Sequence, residues 1–162
     1  MKYFFALFFA STALATSCSN PSGEKPIAQT AAASTPRATL NHIAIYVTNL
    51  QTSTHFYQHI IGLDTIPEPF HDGRHTWFNV GKQGHLHIIS GAVAPTAHDK
   101  NSHLCFSVPS VDEFIPILQQ NNISFEDWGG TPGAITHRVD GVKQIYFKDP
   151  DGYWIEINDA KE

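Results

Sequence analysis

Three histidines and one glutamate in this 162-residue chain stand where their chemistry could converge. His42 and His103 open two strand-like runs at the same point, His87 stands between Leu86 and Ile88, and Glu156 stands between Ile155 and Ile157. Side chains alternate between the two faces of a strand, so each of the four points away from the aliphatic face that a helix would cover. Three neutral imidazoles and one carboxylate form a ligand set for a divalent ion: Zn²⁺, Ni²⁺, Co²⁺, Mn²⁺ or Fe²⁺. The carboxylate offsets part of the ion's charge, and without a metal an enclosed Glu156 would carry a large desolvation cost. The chain has 10 histidines against 10 Lys and Arg together, which makes metal chemistry the first to test.

The elements that must position these residues come in two copies. In Leu40–Val47, Ile43, Ile45 and Val47 share one face and His42, Ala44 and Tyr46 the other, a strand pattern. After a turn at Thr48-Asn49, Leu50 to Ile61 reads as a helix stopped by Gly62. The plan returns at Ser102–Val108, where Leu104, Phe106 and Val108 oppose His103. Ser110-Val111-Asp112-Glu113 is a capping box that opens a second helix with Phe114, Ile117 and Leu118 as its apolar stripe; Pro116 should kink its first turns. Strand-like runs follow each helix: Thr76–Val80 and Leu86–Ile89 in the first copy, and Ile135–Val139, Gln144–Phe147 and Tyr153–Ile157 in the second. The plan is βαβββ twice, an α+β fold of paired modules joined by the polar stretch Gly91–Asn101.

The segments LNHIAIYVTNL, HFYQHIIGL, LHII, HLCFSV and YFKDPDGYWIEI resemble the vicinal oxygen chelate superfamily: glyoxalase I, methylmalonyl-CoA epimerase, fosfomycin-resistance proteins, extradiol dioxygenases and bleomycin-binding proteins. The likeness covers roughly residues 39 to 158, and the turn Asp149-Pro150-Asp151-Gly152 leading to Glu156 is its most specific part. The resemblance implies paired βαβββ modules whose cupped mixed sheet holds one divalent metal, with ligands at His42, His87, His103 and Glu156. One departure stands out. Glyoxalase I has a carboxylate where this chain has His87, and methylmalonyl-CoA epimerase has an amide. Extradiol dioxygenases use two histidines and a glutamate, which match His42, His103 and Glu156 without His87.

The resemblance also implies chelation of a substrate through neighbouring oxygens, with the metal as Lewis acid on a developing enolate or alkoxide and a base that takes the proton beside the carbonyl. Glu156 and His87 are both candidates for that base. Three functions stay open: a glyoxalase-like lyase or isomerase working through a metal-stabilised enediolate, an Fe(II) extradiol-type dioxygenase, and a non-catalytic small-molecule binder. Arg138 is a candidate contact for an anionic substrate group, and Trp77 and Tyr146 are candidate cavity walls. His55 and His59 lie one helical turn apart, a spacing that suits a metal, but no third ligand lies nearby in sequence, so a solvated helix face is expected there. Some family members build the metal site across a dimer, so a homodimer is a candidate assembly.

The chain's beginning carries a different signal. Lys2 followed by apolar Tyr3–Ala15 fits a signal peptide and is short for a membrane span. Leu14-Ala15-Thr16-Ser17-Cys18 resembles a bacterial lipobox, which implies lipidation at Cys18. The expected organisation is a signal peptide over 1–17, the lipidated cysteine and a flexible tether over 18–38, and the folded domain over 39–160, exported and held at a bacterial membrane by its lipid alone. Cys105 is then the one thiol of the folded part, so packing rather than a disulfide must hold it. A net charge of −5 with no basic cluster argues against nucleic acid as a partner.

Overall fold

The computed structural model describes residues 37–161; the expected signal peptide, Cys18 and the expected tether up to residue 36 lie outside the described residues. The chain from Ala38 onward forms one compact unit. Its elements are β1 (His42–Val47), α1 (Leu50–His55, continued by the π-helical turn Phe56–Ile60), β2 (Thr65–Ile66), β3 (His75–Asn79), β4 (His85–Ser90), β5 (His103–Ser107), α2 (Val111–Gln120), β6 (Thr136–His137), β7 (Lys143–Lys148) and β8 (Trp154–Asn158). Two four-stranded mixed sheets result, ordered β1-β4-β3-β2 and β5-β8-β7-β6. In each sheet the first and last strands of the module pair parallel and the others pair antiparallel. The expected duplicated α+β plan is therefore what the chain adopts.

Local sequence accounts for the elements. Asn49 caps α1 by accepting from Thr52 N at 3.0 Å, and Ser110 caps α2 by accepting from Glu113 N at 3.3 Å. Gly62 follows the first helix with φ +85°, a value that favours glycine. The helix α2 runs through Pro116 without interruption to Gln120. The run expected over Ile135–Val139 shrinks to the two residues of β6, because Asp140-Gly141 closes a tight turn in which Gly141 N donates to Arg138 O at 3.0 Å. Arg138 thus sits in a turn rather than in a strand.

The aliphatic faces of both sheets and the inner faces of both helices share one core: Ile45, Val47, Phe78, Leu86 and Ile88 from the first sheet, Ile145, Phe147, Ile155 and Ile157 from the second, and Phe56, Tyr57, Val111, Phe114 and Leu118 from the helices. Two buried carboxylates bolt the modules together. Asp151 accepts from Thr48 N at 2.6 Å and from the Ser53 hydroxyl at 2.9 Å, while Asp149 accepts from the buried Tyr57 hydroxyl at 2.8 Å. Hydrogen bonds to charged groups each contribute about 1.5–3 kcal/mol. Gly152 completes the turn at φ +91°, where a Cβ would lie 2.7 Å from the Thr96 carbonyl oxygen.

Candidate metal centre

Each sheet turns one polar face away from this core, and the two faces are built alike. In the first, Ala44 pairs in register with His87 and His42 lies two residues before Ala44. In the second, Cys105 pairs with Glu156 and His103 lies two residues before Cys105. The four predicted ligands therefore occupy equivalent places, as two pairs.

The first pair is stacked. The His42 and His87 rings lie 4.2 Å apart and 10° from parallel, and His87 in turn lies on the Trp77 indole at 4.0 Å and 2°. His87 is 8% exposed, and its Nε2 has no hydrogen-bond partner among the described residues. Burial, and then the neighbouring histidines His42, His85 and His75, hold its pKa below the ordinary value. The His42 Nδ1 sits 2.8 Å from Asn41 Oδ1 and donates to it, which leaves Nε2 as a free lone pair. Asn41 is itself held by His85 N, which donates to its carbonyl at 3.0 Å. That contact needs Gly84, with φ +120°, because a Cβ there would lie 2.3 Å from the same oxygen.

The second pair is in contact. His103 Nε2 lies 3.1 Å from Glu156 Oε2. Its Nδ1 lies 2.7 Å from the Lys100 carbonyl oxygen, which can only accept, so Nδ1 donates there and Nε2 is the ring nitrogen turned toward the carboxylate. Either a proton on Nε2 or a bound cation satisfies this contact. Cis ligands bound at ~2.1 Å to one ion stand ~3 Å apart, so this pair fits a shared divalent metal. Three donors hold the carboxylate. Tyr146 OH donates to Oε2 at 2.7 Å, while Asn158 Nδ2 at 2.9 Å and the Cys105 thiol at 3.4 Å donate to Oε1. Burial pushes the Glu156 pKa up, but these hydrogen bonds and the charge of His103 outweigh it and hold the carboxyl below its ordinary value. Burial, followed by the Glu156 charge, pushes the Cys105 thiol up to about 12, so it stays a donor.

Within one chain the two pairs stay apart. Among the described residues, no three His, Cys, Asp or Glu are grouped so as to hold a metal ion. Tyr146, read from sequence as a cavity wall, is 1% exposed and serves beneath Glu156. Trp77 backs His87, and Arg138 is half-exposed and ion-paired with Asp140. Sequence alone gives no site role to Asn41, to Cys105, which it marks only as a lone thiol, or to Asn158. A period of two from His103 and Glu156 places the latter two on the same face, so alternation was the signal that could have found them.

The sequence profile of the glyoxalase/bleomycin resistance protein/dioxygenase superfamily matches residues 39–157. The chain belongs to that superfamily. It is 28% identical over 129 residues to the uncharacterized protein YaeR of Escherichia coli, covering 73% of this chain and 93% of that one. It is 29% identical over 131 residues to the metallothiol transferase FosB of Staphylococcus epidermidis, covering 74% and 80%. The fold is also that of the fosfomycin resistance protein FosX from Listeria monocytogenes, with a TM-score of 0.61 at 23% identity over 76% of this chain and 94% of that one.

Proposed function

We propose that this superfamily member is a divalent-metal-dependent enzyme, a glyoxalase-like lyase or isomerase for a small compound with neighbouring oxygens, whose metal centre forms between two copies of the chain. The carrying observation is the His103–Glu156 pair: an imidazole nitrogen and a carboxylate oxygen 3.1 Å apart, each oriented by its own hydrogen bonds. His42 of the other copy supplies the third ligand, its Nε2 left free by the same Nδ1 arrangement. Rings stacked face to face cannot both aim an in-plane lone pair at one ion, so His87 joins the ligands only by turning; as placed, it is a base held beside them.

Several features support assembly between copies. β1 and β5 are edge strands, each with one unpaired side. The first half of β1 is exposed at His42, Ile43 and Ala44, and Leu40 before it is 59% exposed. Leu40 and Ile43 open onto a hollow of about 670 Å³ lined further by Leu86, Leu104 and Phe106. A bound divalent ion would polarise the substrate's paired oxygens; the chain's own residues orient the ligands and hold His87 ready to take a proton.

A second reading rests on the ligand chemistry. Two histidines and a glutamate, with His87 stacked aside, also suit Fe²⁺ and an extradiol-type oxygenation. Elemental analysis of the full chain tests both. Stoichiometric zinc or nickel supports the first and iron with oxygen uptake on catechols supports the second. A metal content unchanged by His103→Ala rejects the site and leaves a non-catalytic binder. We further propose that the chain is exported and anchored through Cys18; among the described residues no helix is long and apolar enough to cross a membrane.

A further inference from the structure

The geometry points to a second metal site, separate from the first: we propose that His55 and His59 chelate one borderline transition-metal ion, of the Cu²⁺, Ni²⁺ or Zn²⁺ class, on the outer face of the first helix. Sequence spacing alone suggests only a solvated face there. The structure adds three observations.

The first is ring geometry. The His55 and His59 centroids are 4.6 Å apart with the planes tilted by 45°. Two imidazoles bound cis to one ion at ~2.0 Å place their centroids ~4.5 Å apart, so the rings already stand at chelating separation. They are not stacked, unlike His42 and His87, and can turn their nitrogens inward. The helix changes character between them: the α-helical turn ends at His55 and a π turn follows, in which Ile61 N donates to Phe56 O at 3.2 Å. Such wide turns recur at functional sites, and here the turn sets the spacing of the two rings.

The second is the setting. The rings border a surface hollow of about 320 Å³, shared with Gln51, Thr54, Gln58 and Thr76. A hydrogen bond of 2.8 Å between the Thr54 and Thr76 hydroxyls fixes this helix face to β3. Two neutral nitrogen donors with amide and hydroxyl neighbours favour copper, nickel and zinc over magnesium or calcium.

The third is that nothing else accounts for the pair. Among the described residues neither ring has a hydrogen bond or an acidic partner, whereas His75 is held by Asp72 and His103 by Lys100 and Glu156. The buried residues Phe56, Tyr57 and Ile60 point to the core, and the metal centre proposed above lies on the far face of the sheet. The two sites share no residue. Two ligands leave several coordination positions to water, so this ion would exchange freely.

The test uses the full chain and Cu²⁺ or Ni²⁺ alone, in a His42→Ala/His103→Ala/Glu156→Gln background that removes the other centre's ligands. The expected result is one equivalent of Cu²⁺ with a two-nitrogen electron paramagnetic resonance signature. Nickel should broaden NMR signals around residues 51–59 and Thr76. Either His55→Ala or His59→Ala should abolish both signals, while His71→Ala leaves them intact; the exposed side chains make a folding defect unexpected, and circular dichroism checks it. An equivalent that survives His55→Ala, or no Cu²⁺ bound in this background, overturns the proposal. Neither result bears on His103 or Glu156, so the two proposed sites stand or fall separately.

Discussion

Combining two metal-deficient variants should restore metal. His42→Ala removes the first-sheet imidazole and His103→Ala the second-sheet one, and in the proposed assembly each centre takes one half from each copy. Either variant alone damages both centres of its dimer. In a mixed dimer, the undamaged His103 and Glu156 of one chain meet the undamaged His42 and His87 of the other, so one centre is whole and the second lacks both imidazoles. Random reassembly of equal amounts makes about half the dimers mixed, and half the centres in those are intact, so metal content, read in a His55→Ala background that removes the helix pair, should rise from near zero to about a quarter of the parental value. The variants would be unfolded in urea separately, mixed, refolded, dialysed against limiting metal and assayed by mass spectrometry, with sedimentation reporting the dimer. The arrangement of the halves allows no rescue if all four ligands of a centre come from one chain. Metal content on mixing equal to the average of the two variants would refute the shared site.

Two further outcomes follow from the hydrogen bonding. Tyr146→Phe removes the 2.7 Å donor to Glu156 Oε2 and a partner of Gln144; the metal-free protein should lose about 1.5–3 kcal/mol in urea unfolding, and metal affinity should fall roughly 10- to 100-fold. Unchanged affinity would remove Tyr146 from the site. Tyr57 has its hydroxyl pKa raised well above the ordinary 10.0, first by burial and then by the Asp149 charge. A folded value above the unfolded one gives stability that is full below pH 10 and is lost as pH rises through the folded value. Tyr57→Phe should therefore be less stable than the parent at neutral pH, and the gap should close above about pH 10. A gap that widens in alkali would contradict the Tyr57–Asp149 bond.

Much of the fold was legible because alternation and capping are local. Ile43, Ile45 and Val47 announce a strand, and Ser110 with Glu113 announces the start of α2, without reference to the rest of the chain. Two-residue β2 was not legible, since Thr65-Ile66 is too short to show a period. The π turn after His55 escaped for another reason: apolar residues near helical spacing fit either helix type, and the i→i+5 bond is set by packing. The site was half legible. Alternation tells which face His42, His87, His103 and Glu156 share with their neighbours, and the structure agrees. It does not tell which sheet lies opposite which, so the division into two pairs could not be read from spacing. Nor could the stacking of His87 between His42 and Trp77, which depends on cross-strand register.

The buried carboxylates of the last turn carry a consequence for how the chain matures. Asp149 and Asp151 reach partners 92, 98 and 103 positions earlier, at Tyr57, Ser53 and Thr48. Contacts that distant slow folding, because a long loop must close before they repay its entropy. During synthesis the first half leaves the ribosome with its tyrosine and serine hydroxyls unsatisfied and its apolar surface uncovered. It must wait for nearly the entire remaining polypeptide before it can close. Early truncation products should therefore be substrates for chaperones and proteases rather than stable half-molecules.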